Sequence, residues 1–165
     1  MPDSKNLNPA NIRLIKVNDE YQLLACLKHE IWGANRNRFG KWEKGEYLAF
    51  IVDNGIAALA KVNGGQFISK TPIWENGVFP FRIPIKFLRF LPPENRPSHR
   101  EGEIIEAIRD EAGYLYGWVI MGQHKLSQNV SKIILNTLSA HPNQLPLIKR
   151  EFSSYYRLAK NNRKI

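Results

Sequence analysis

The residues of this sequence whose type and position best suit them to bind a ligand are its tryptophans. Three of the four, Trp32, Trp42 and Trp74, lie in or beside segments whose Gly, Asn, Pro and charged residues predict loops. A hydrophobic core takes tryptophan mainly from strands and helices, whereas a tryptophan in a loop can stack on a flat ligand such as a nucleobase. The pattern favours a stacking site, and the alternative is that each ring only covers the core.

Groups that could catalyse a reaction are scattered rather than clustered. The four histidines stand singly along the chain, and no phosphate-binding glycine loop, zinc-protease motif or nucleophile elbow is present. Glu103 and Glu106 would share one helix face, which a solvent-exposed acidic surface explains better than a catalytic pair does. Cys26 lies within an apolar helical pattern and is expected to be buried. We therefore predict no catalytic residue, no metal site and no cofactor.

The chain is strongly basic, with 24 Lys and Arg against 15 Asp and Glu and a net charge of +9. The excess falls in residues 36–44, in Arg82, Lys86 and Arg89, and above all after Lys125, whereas residues 91–111 are rich in acids. The C-terminal tail contributes Arg157, Lys160, Arg163 and Lys164. This balance favours a polyanionic partner, most often nucleic acid, and the alternative is a set of basic faces that are merely hydrated.

Length and composition restrict the class of protein. A chain of 165 residues that is 43% hydrophobic and 24% charged predicts a single folded domain over residues 1–165. The apolar runs are too short to span a bilayer, and residues 1–10 lack the pattern of a signal peptide. One cysteine permits no internal disulfide. These features predict a soluble, cytoplasmic protein with no membrane partner.

The first part of the chain predicts a helix between strands. Residues 12–17 alternate apolar and basic side chains, which is typical of a strand, and Asn18 is placed to cap a helix over residues 19–30. The composition of residues 32–45 predicts a loop. Residues 46–53 and 56–62 flank Asn54-Gly55, a dipeptide that favours a hairpin with a type I′ turn.

The later segments predict one more long strand and several helices. Residues 79–91 have strand composition, but Pro80 and Pro84 cannot donate ladder hydrogen bonds, so we place them at a sheet edge or bulge. Residues 102–112 predict a short helix and residues 114–121 a strand.

Two further helices are predicted near the C-terminus, one beginning after Ser127 or Asn129 and one at Pro146. The last helix carries several aromatic side chains. The order of all these elements favours an α+β domain with a curved or closed sheet.

The sequence resembles EVE and YTH domains in the order and spacing of several short motifs. Residues 14–35 run from an Ile-Lys strand through a helix with an acidic start to Ile31-Trp32-Gly33. Lys44-Gly45-Glu46 is similar to a motif that precedes a strand in EVE domains. Residues 79–86 and 116–126 resemble the long strand and the closing segment of these domains. The resemblance covers about residues 12–138.

The resemblance implies a fold of the PUA-like group, a small curved β-barrel flanked by helices, with residues 145–163 as an additional C-terminal helix. It also implies that a modified base flips out of its strand into an aromatic cage. The matching positions are Trp32, Trp74 and Phe79 for the walls, Asn18 and Gln22 for the base edge, and Gly33 and Ala34 for backbone contacts. The loop residues placed to bind phosphate are Arg36, Arg38, Lys41 and Lys44, and the basic tail would extend them.

The function implied by the resemblance is non-catalytic binding of methylated DNA or RNA, with N6-methyladenine slightly favoured over 5-methylcytosine. We expect alanine at Trp32 or Trp74 to abolish selectivity and to leave the fold intact. One alternative is an RNA-processing enzyme of the PUA-like group. The other is the targeting module of a methylation-dependent restriction system, whose C-terminal helix would offer Phe152, Tyr155 and Tyr156 to a protein partner.

Overall fold

The structure is a computed structural model that describes residues 11–163. Lys164, which the basic tail was expected to include, lies outside the described residues. The strands are β1 (Ile12–Lys16), β2 (Ile31–Ala34), β3 (Tyr47–Val52), β4 (Gly55–Val62), β5 (Phe67–Ile68) and β6 (Phe81–Phe90). The helices are α1 (Glu20–His29), α2 (Gly102–Ala112), α3 (Tyr116–Met121), α4 (Gln128–Ser139), α5 (Leu145–Arg150) and α6 (Phe152–Asn161).

The strands form a mixed, curled half-barrel sheet. Its order is β1-β3-β4-β6-β2, with β5 paired to β6, and β1 runs parallel to β3 while the other pairs are antiparallel. Alternate residues of β3 serve two hydrophobic clusters, since Phe50 packs with α1, α5 and α6 whereas Ala49 packs with α2, α3 and α4. The predicted α+β class, a curved sheet flanked by helices, is confirmed.

The β3–β4 hairpin forms where the sequence predicts it, but its turn lies one residue earlier. Val52 pairs with Gly55, and the two turn residues Asp53 and Asn54 have φ of 49° and 72°, which is the type I′ pattern. Asp and Asn tolerate this left-handed conformation better than most side chains do. Gly55 serves a different purpose, because a Cβ there would lie 2.8 Å from Cβ of Arg96.

The predicted edge position of the long strand is wrong. β6 lies between β4 and β2, so it is an interior strand although it contains Pro84. Pro84 is tolerated because β4 ends at Val62, and the Pro84 carbonyl accepts a hydrogen bond from the N–H of Asn63 just beyond that end. The missing N–H therefore falls where the β4 ladder has already stopped. The sheet also has a bulge, a register shift between Leu59 and Ala60 that leaves Leu88 of β6 unpaired, but it involves neither Pro80 nor Pro84.

The strand predicted over residues 114–121 is also wrong, because this segment is a 3₁₀ turn followed by helix α3. Ile120 of α3 is buried against β1, whereas Trp118 and Met121 are 67% and 72% exposed. A short apolar run carries no periodicity that separates a buried strand from a helix with one buried side. The exposed tryptophan is thus one that the sequence analysis assigned to a strand.

Several helix boundaries follow the predictions, with differences of one residue to one turn. Asp19, not Asn18, caps α1, because its Oδ1 accepts a hydrogen bond from the N–H of Gln22 at 2.9 Å. The loop predicted from residue 32 instead begins with β2. Ser127 caps α4 as expected, and the last predicted helix is two helices that meet at Glu151. In residues 11–163 no helix is both long and apolar enough to cross a membrane.

Candidate nucleic-acid interface

A cavity of about 550 Å³ opens between the start of α1 and the loop that precedes β6. Its volume is within the roughly 300–1,000 Å³ that small-ligand pockets occupy in proteins. Three residues that the resemblance assigned to base binding line it together, namely Asn18, Gln22 and Trp74. The other lining residues are Asp19, Tyr21, Ala25, Ile73, Glu75, Asn76 and Arg163.

The α1 end of the cavity is polar and held in place by local hydrogen bonds. The N–H of Asn18 donates to Oε1 of Gln22 at 2.6 Å, and Nδ2 of Asn18 donates to Oδ2 of Asp19 at 3.4 Å. These bonds leave the Nε2 hydrogens of Gln22 and the Oδ1 oxygen of Asn18 without a partner among the described residues. The cavity is therefore lined by a side-chain donor and a side-chain acceptor that a ligand could use.

Trp74 forms the apolar side of the cavity and is held on several sides. It is buried, and its Nε1–H donates to the Sγ of Cys26 at 3.3 Å. The Arg82 guanidinium lies 5.3 Å from the ring centroid, and Phe79 packs edge-on at 5.5 Å. A site for stacking needs a ring in a defined orientation, and these contacts define that of Trp74.

Gly33 of β2 provides the space that Trp74 occupies. A Cβ at Gly33 would lie 2.6 Å from Cη2 of Trp74, closer than real side-chain contacts allow. The adjacent Ala34 is half-buried and pairs with Phe81 across β2 and β6. The backbone of β2 thus lies directly beneath the indole, and any larger residue at Gly33 would displace the ring.

Trp32 is placed differently from Trp74. It is buried with its ring edge-on to Phe50 at 5.6 Å, and it does not line the cavity. Because successive side chains of a strand point to opposite faces, Trp32 points away from the side on which Gly33 meets Trp74. Its buried Nε1–H has no hydrogen-bond partner among the described residues. Its role as a second cage wall stays a prediction.

Both tryptophans are more than nine-tenths buried. Replacing either with alanine would leave a cavity that costs about 3–5 kcal/mol of folding free energy. The expectation that these alanine variants keep the fold intact therefore conflicts with their burial. Variants that keep most of the side-chain volume are the suitable probes.

Arg82 is a structural determinant that the sequence analysis did not single out from other basic residues. Its side chain is buried, and its guanidinium donates to the backbone carbonyls of Thr71, Val78 and Phe79. Burial lowers the pKa of this guanidinium. Arg82 thereby ties the two ends of the Trp74 loop to β6. Phe79 itself has φ of 46°, a left-handed conformation that turns the loop into β6.

The expected phosphate-binding residues lie on an exposed loop that follows β2. All four side chains, those of Arg36, Arg38, Lys41 and Lys44, are exposed, and none pairs with a described acid. Trp42 in the same loop is half-buried and packs edge-on against Phe39, with ring centroids 4.7 Å apart. The Arg13 guanidinium lies over the Trp42 ring, 4.8 Å from its centroid. Trp42 thus anchors the loop, and the cations around it face solvent.

The other side chains with reactive groups are buried or hydrogen-bonded within the fold. Burial raises the pKa of the Cys26 thiol to about 12, so this cysteine is not an activated nucleophile. Burial, Tyr156 and Glu75 together raise the pKa of the Tyr21 hydroxyl. Within residues 11–163 no group of three or more His, Cys, Asp or Glu side chains could hold a metal ion.

The C-terminal aromatic residues are not a free surface. Phe152, Tyr155 and Tyr156 are partly buried and pack against the hydrophobic cluster that contains α1. Leu158 is 61% exposed on the same helix. A protein partner would therefore contact little of the aromatic surface from which it was predicted.

Comparisons with solved structures place this architecture among YTH domains. The YTH domain of the Zygosaccharomyces rouxii MRB1 protein, in complex with N6-methyladenosine RNA, superposes with a TM-score of 0.59 at 12% identity, covering 84% of this chain and 92% of that one. The Toxoplasma CPSF4 YTH domain, in complex with a 7 mer N6-methyladenosine-modified RNA, gives 0.57 at 12% identity over 81% and 93%. No protein-family model and no curated protein matches this sequence. This likeness establishes a YTH-like fold.

Proposed function

We propose that this protein is a non-catalytic reader that binds RNA through one modified base, with N6-methyladenine as the first candidate. The observation that carries the proposal is the convergence of Asn18, Gln22 and Trp74 on one cavity within a YTH-like fold. The solved neighbours described above bind N6-methyladenosine RNA, which supports the same ligand class here. The exposed cations after β2 suit the phosphates of the strand.

The polar groups of the cavity can bind the edge of a base. The Gln22 Nε2 donor and the Asn18 Oδ1 acceptor complement an edge with an acceptor beside a donor. Every base offers such a pair, at N1 and N6 in adenine, N3 and N4 in cytosine, O6 and N1–H in guanine, and O4 and N3–H in uracil. The two side chains therefore orient a base, and the choice of adenine rests on the ligands of the solved neighbours.

The methyl group provides selectivity for a modified base over the plain one. Its burial contributes about 0.8 kcal/mol. An unmodified amino group would also leave one N–H without an acceptor beside the Trp74 ring, which costs roughly 1–3 kcal/mol. Stacking on an aromatic ring stabilises any base by about 1–3 kcal/mol and adds little selectivity. The expected preference for the methylated strand is about tenfold to several hundredfold.

The direct test is binding to matched single-stranded RNA and DNA oligonucleotides with no modification, one N6-methyladenine or one 5-methylcytosine, at near-physiological salt. A preference of tenfold or more for the N6-methyladenine RNA supports the proposal. A preference for 5-methylcytosine would keep the reader and change its base. Equal affinity for all strands would overturn the reader, and cleavage of labelled RNA during the incubation would show an enzyme instead.

The variant Gln22→Glu tests the role of the cavity directly. It keeps an oxygen for the Asn18 N–H but replaces the Nε2 donor with a charged acceptor, which repels the acceptor nitrogen of the base. We expect at least a tenfold loss of affinity for the methylated strand. Gln128→Glu is the matched control, because it makes the same charge change at an exposed position on α4. Equal losses in both variants would show a general charge effect rather than base contact.

A further inference from the structure

The C-terminal helix α6 packs against α1 beside the cavity. The Tyr156 ring lies 4.9 Å from that of Tyr21 on α1, and the Tyr156 hydroxyl donates to the Tyr21 hydroxyl at 3.3 Å. Phe152 stacks on Tyr156 at 5.3 Å, and the Lys28 ammonium lies 5.6 Å from the Tyr156 ring centroid. These contacts hold α6 against α1, so the residues that follow α6 reach the mouth of the cavity.

Arg163 lies at that mouth, just beyond α6. It lines the cavity, and its guanidinium pairs with Oε2 of Glu75 at 3.4 Å and lies 5.8 Å from the Tyr21 ring centroid. Both side chains of the pair are partly exposed, at 35% for Arg163 and 54% for Glu75. An ion pair with this exposure holds its partners weakly, so another anion can replace Glu75 at little cost.

The charges around the cavity make such a replacement favourable. The lining residues include two acids, Asp19 and Glu75, and one cation, Arg163. A base that enters the cavity brings its own phosphates to the mouth, where Glu75 alone would repel them. A guanidinium can bind a phosphate through two parallel hydrogen bonds, which a single contact to Glu75 at 3.4 Å does not match.

We propose that Arg163 is a phosphate-binding residue that Glu75 holds in place until RNA arrives, and that binding exchanges the Glu75 carboxylate for a phosphate next to the inserted base. This inference rests on the proposed function for its ligand, and it extends that function to the C-terminal segment. Phosphate contacts carry no base information, so Arg163 sets affinity for the strand and leaves the preference for a methylated base unchanged.

The test compares Arg163→Gln, Glu75→Gln and the control Lys132→Gln for binding to an unmodified single-stranded RNA over a range of salt concentrations. Lys132 is exposed on α4 and does not line this cavity, and its replacement makes the same charge change as Arg163→Gln. We expect Arg163→Gln to weaken binding about three- to tenfold and to make the slope of log affinity against log salt shallower by about 0.7. Glu75→Gln should tighten binding, because it removes the competing anion, and Lys132→Gln should weaken binding less than twofold and leave the slope unchanged.

The opposite signs for Glu75→Gln and Arg163→Gln distinguish phosphate exchange from a purely structural pair. A structural pair predicts that both variants lower the melting temperature and weaken binding together, and that result would overturn the inference. Equal effects of Arg163→Gln and Lys132→Gln would overturn it as well, even if the protein selects methylated RNA. If the expected pattern appears while methylated and plain strands bind equally, the inference stands and the base-reading function fails. Absence of RNA binding would overturn both.

Discussion

At the level of single residues, the candidate site depends on what surrounds Trp74. The Cys26 thiol, the Arg82 guanidinium and the missing side chain of Gly33 each constrain the indole from a different direction. Trp74 also donates a hydrogen bond to Cys26, which is fully buried and is the single cysteine of the chain. The reactivity of this thiol therefore reports directly on whether the Trp74 ring stays in place.

We predict that Gly33→Ala displaces Trp74. A Cβ 2.6 Å from Cη2 of Trp74 cannot be accommodated unless the ring or β2 moves, and such overpacking typically costs about 1–3 kcal/mol of stability. The Trp74–Cys26 hydrogen bond should break, and a thiol reagent should then label Cys26 at least several times faster than in the unmodified protein. Ala34→Gly is the control, since it changes the neighbouring residue without adding volume. Unchanged labelling in Gly33→Ala, together with unchanged stability, would contradict this account of the site.

At the level of elements, strongly patterned segments were predictable from the sequence and short apolar ones were not. The β3–β4 hairpin, α2 and α4 follow from turn dipeptides, capping residues and helical periodicity. Residues 114–121, which include α3, are apolar or aromatic except for Gly117 and have no period, so the helix depends on the sheet face that buries Ile120. β6 is interior because β4 stops before Pro84, which depends on strand lengths that no local pattern sets.

The loop after β6 is joined to the β3–β4 turn by a buried histidine. His99 is 1% exposed, its N–H donates to the Asn54 carbonyl at 3.0 Å, and its Nδ1 lies 2.9 Å from the same oxygen. Burial lowers the pKa of His99, and the nearby cations Lys16 and Arg100 lower it further. The unfolded chain therefore binds a proton at His99 more readily than the folded chain does.

This lowered pKa predicts a loss of stability on acidification. Above the unfolded pKa of about 6.5 the imidazole is neutral in both states and has no effect. As the pH falls below that value, protonation stabilises the unfolded chain, by at most about 1.4 kcal/mol for each pH unit until the folded pKa is reached. Melting temperatures measured from pH 8 to pH 5 should fall less in His99→Gln than in the unmodified protein. His124→Gln, at an exposed position, is the control, and an identical pH dependence in all three proteins would refute the assignment to His99.

At the level of the whole molecule, the two faces of the sheet have different characters. The cavity and Trp74 lie with the cluster that contains α1, α5 and α6, whereas α2, α3 and α4 cover the other face with an acidic helix and the exposed Trp118. The resemblance to EVE and YTH domains assigned Asn18, Gln22 and Trp74 to base binding, and all three line the cavity. It did not predict that Arg163 joins them, since this contact depends on how α6 packs on α1.

This difference between the two faces predicts where an added negative charge weakens RNA binding. Lys41→Glu, in the exposed loop after β2, and Lys132→Glu, exposed on α4 of the other face, change the net charge of +9 by the same amount. Their effects on the long-range attraction of RNA should therefore be similar, and any difference between them measures local phosphate contacts. We expect Lys41→Glu to weaken single-stranded RNA binding by about five- to thirtyfold and to make the salt slope shallower by about 0.7 for each lost phosphate contact, whereas Lys132→Glu should weaken it less than twofold. Equal losses would show that overall charge, and not the loop after β2, attracts the strand.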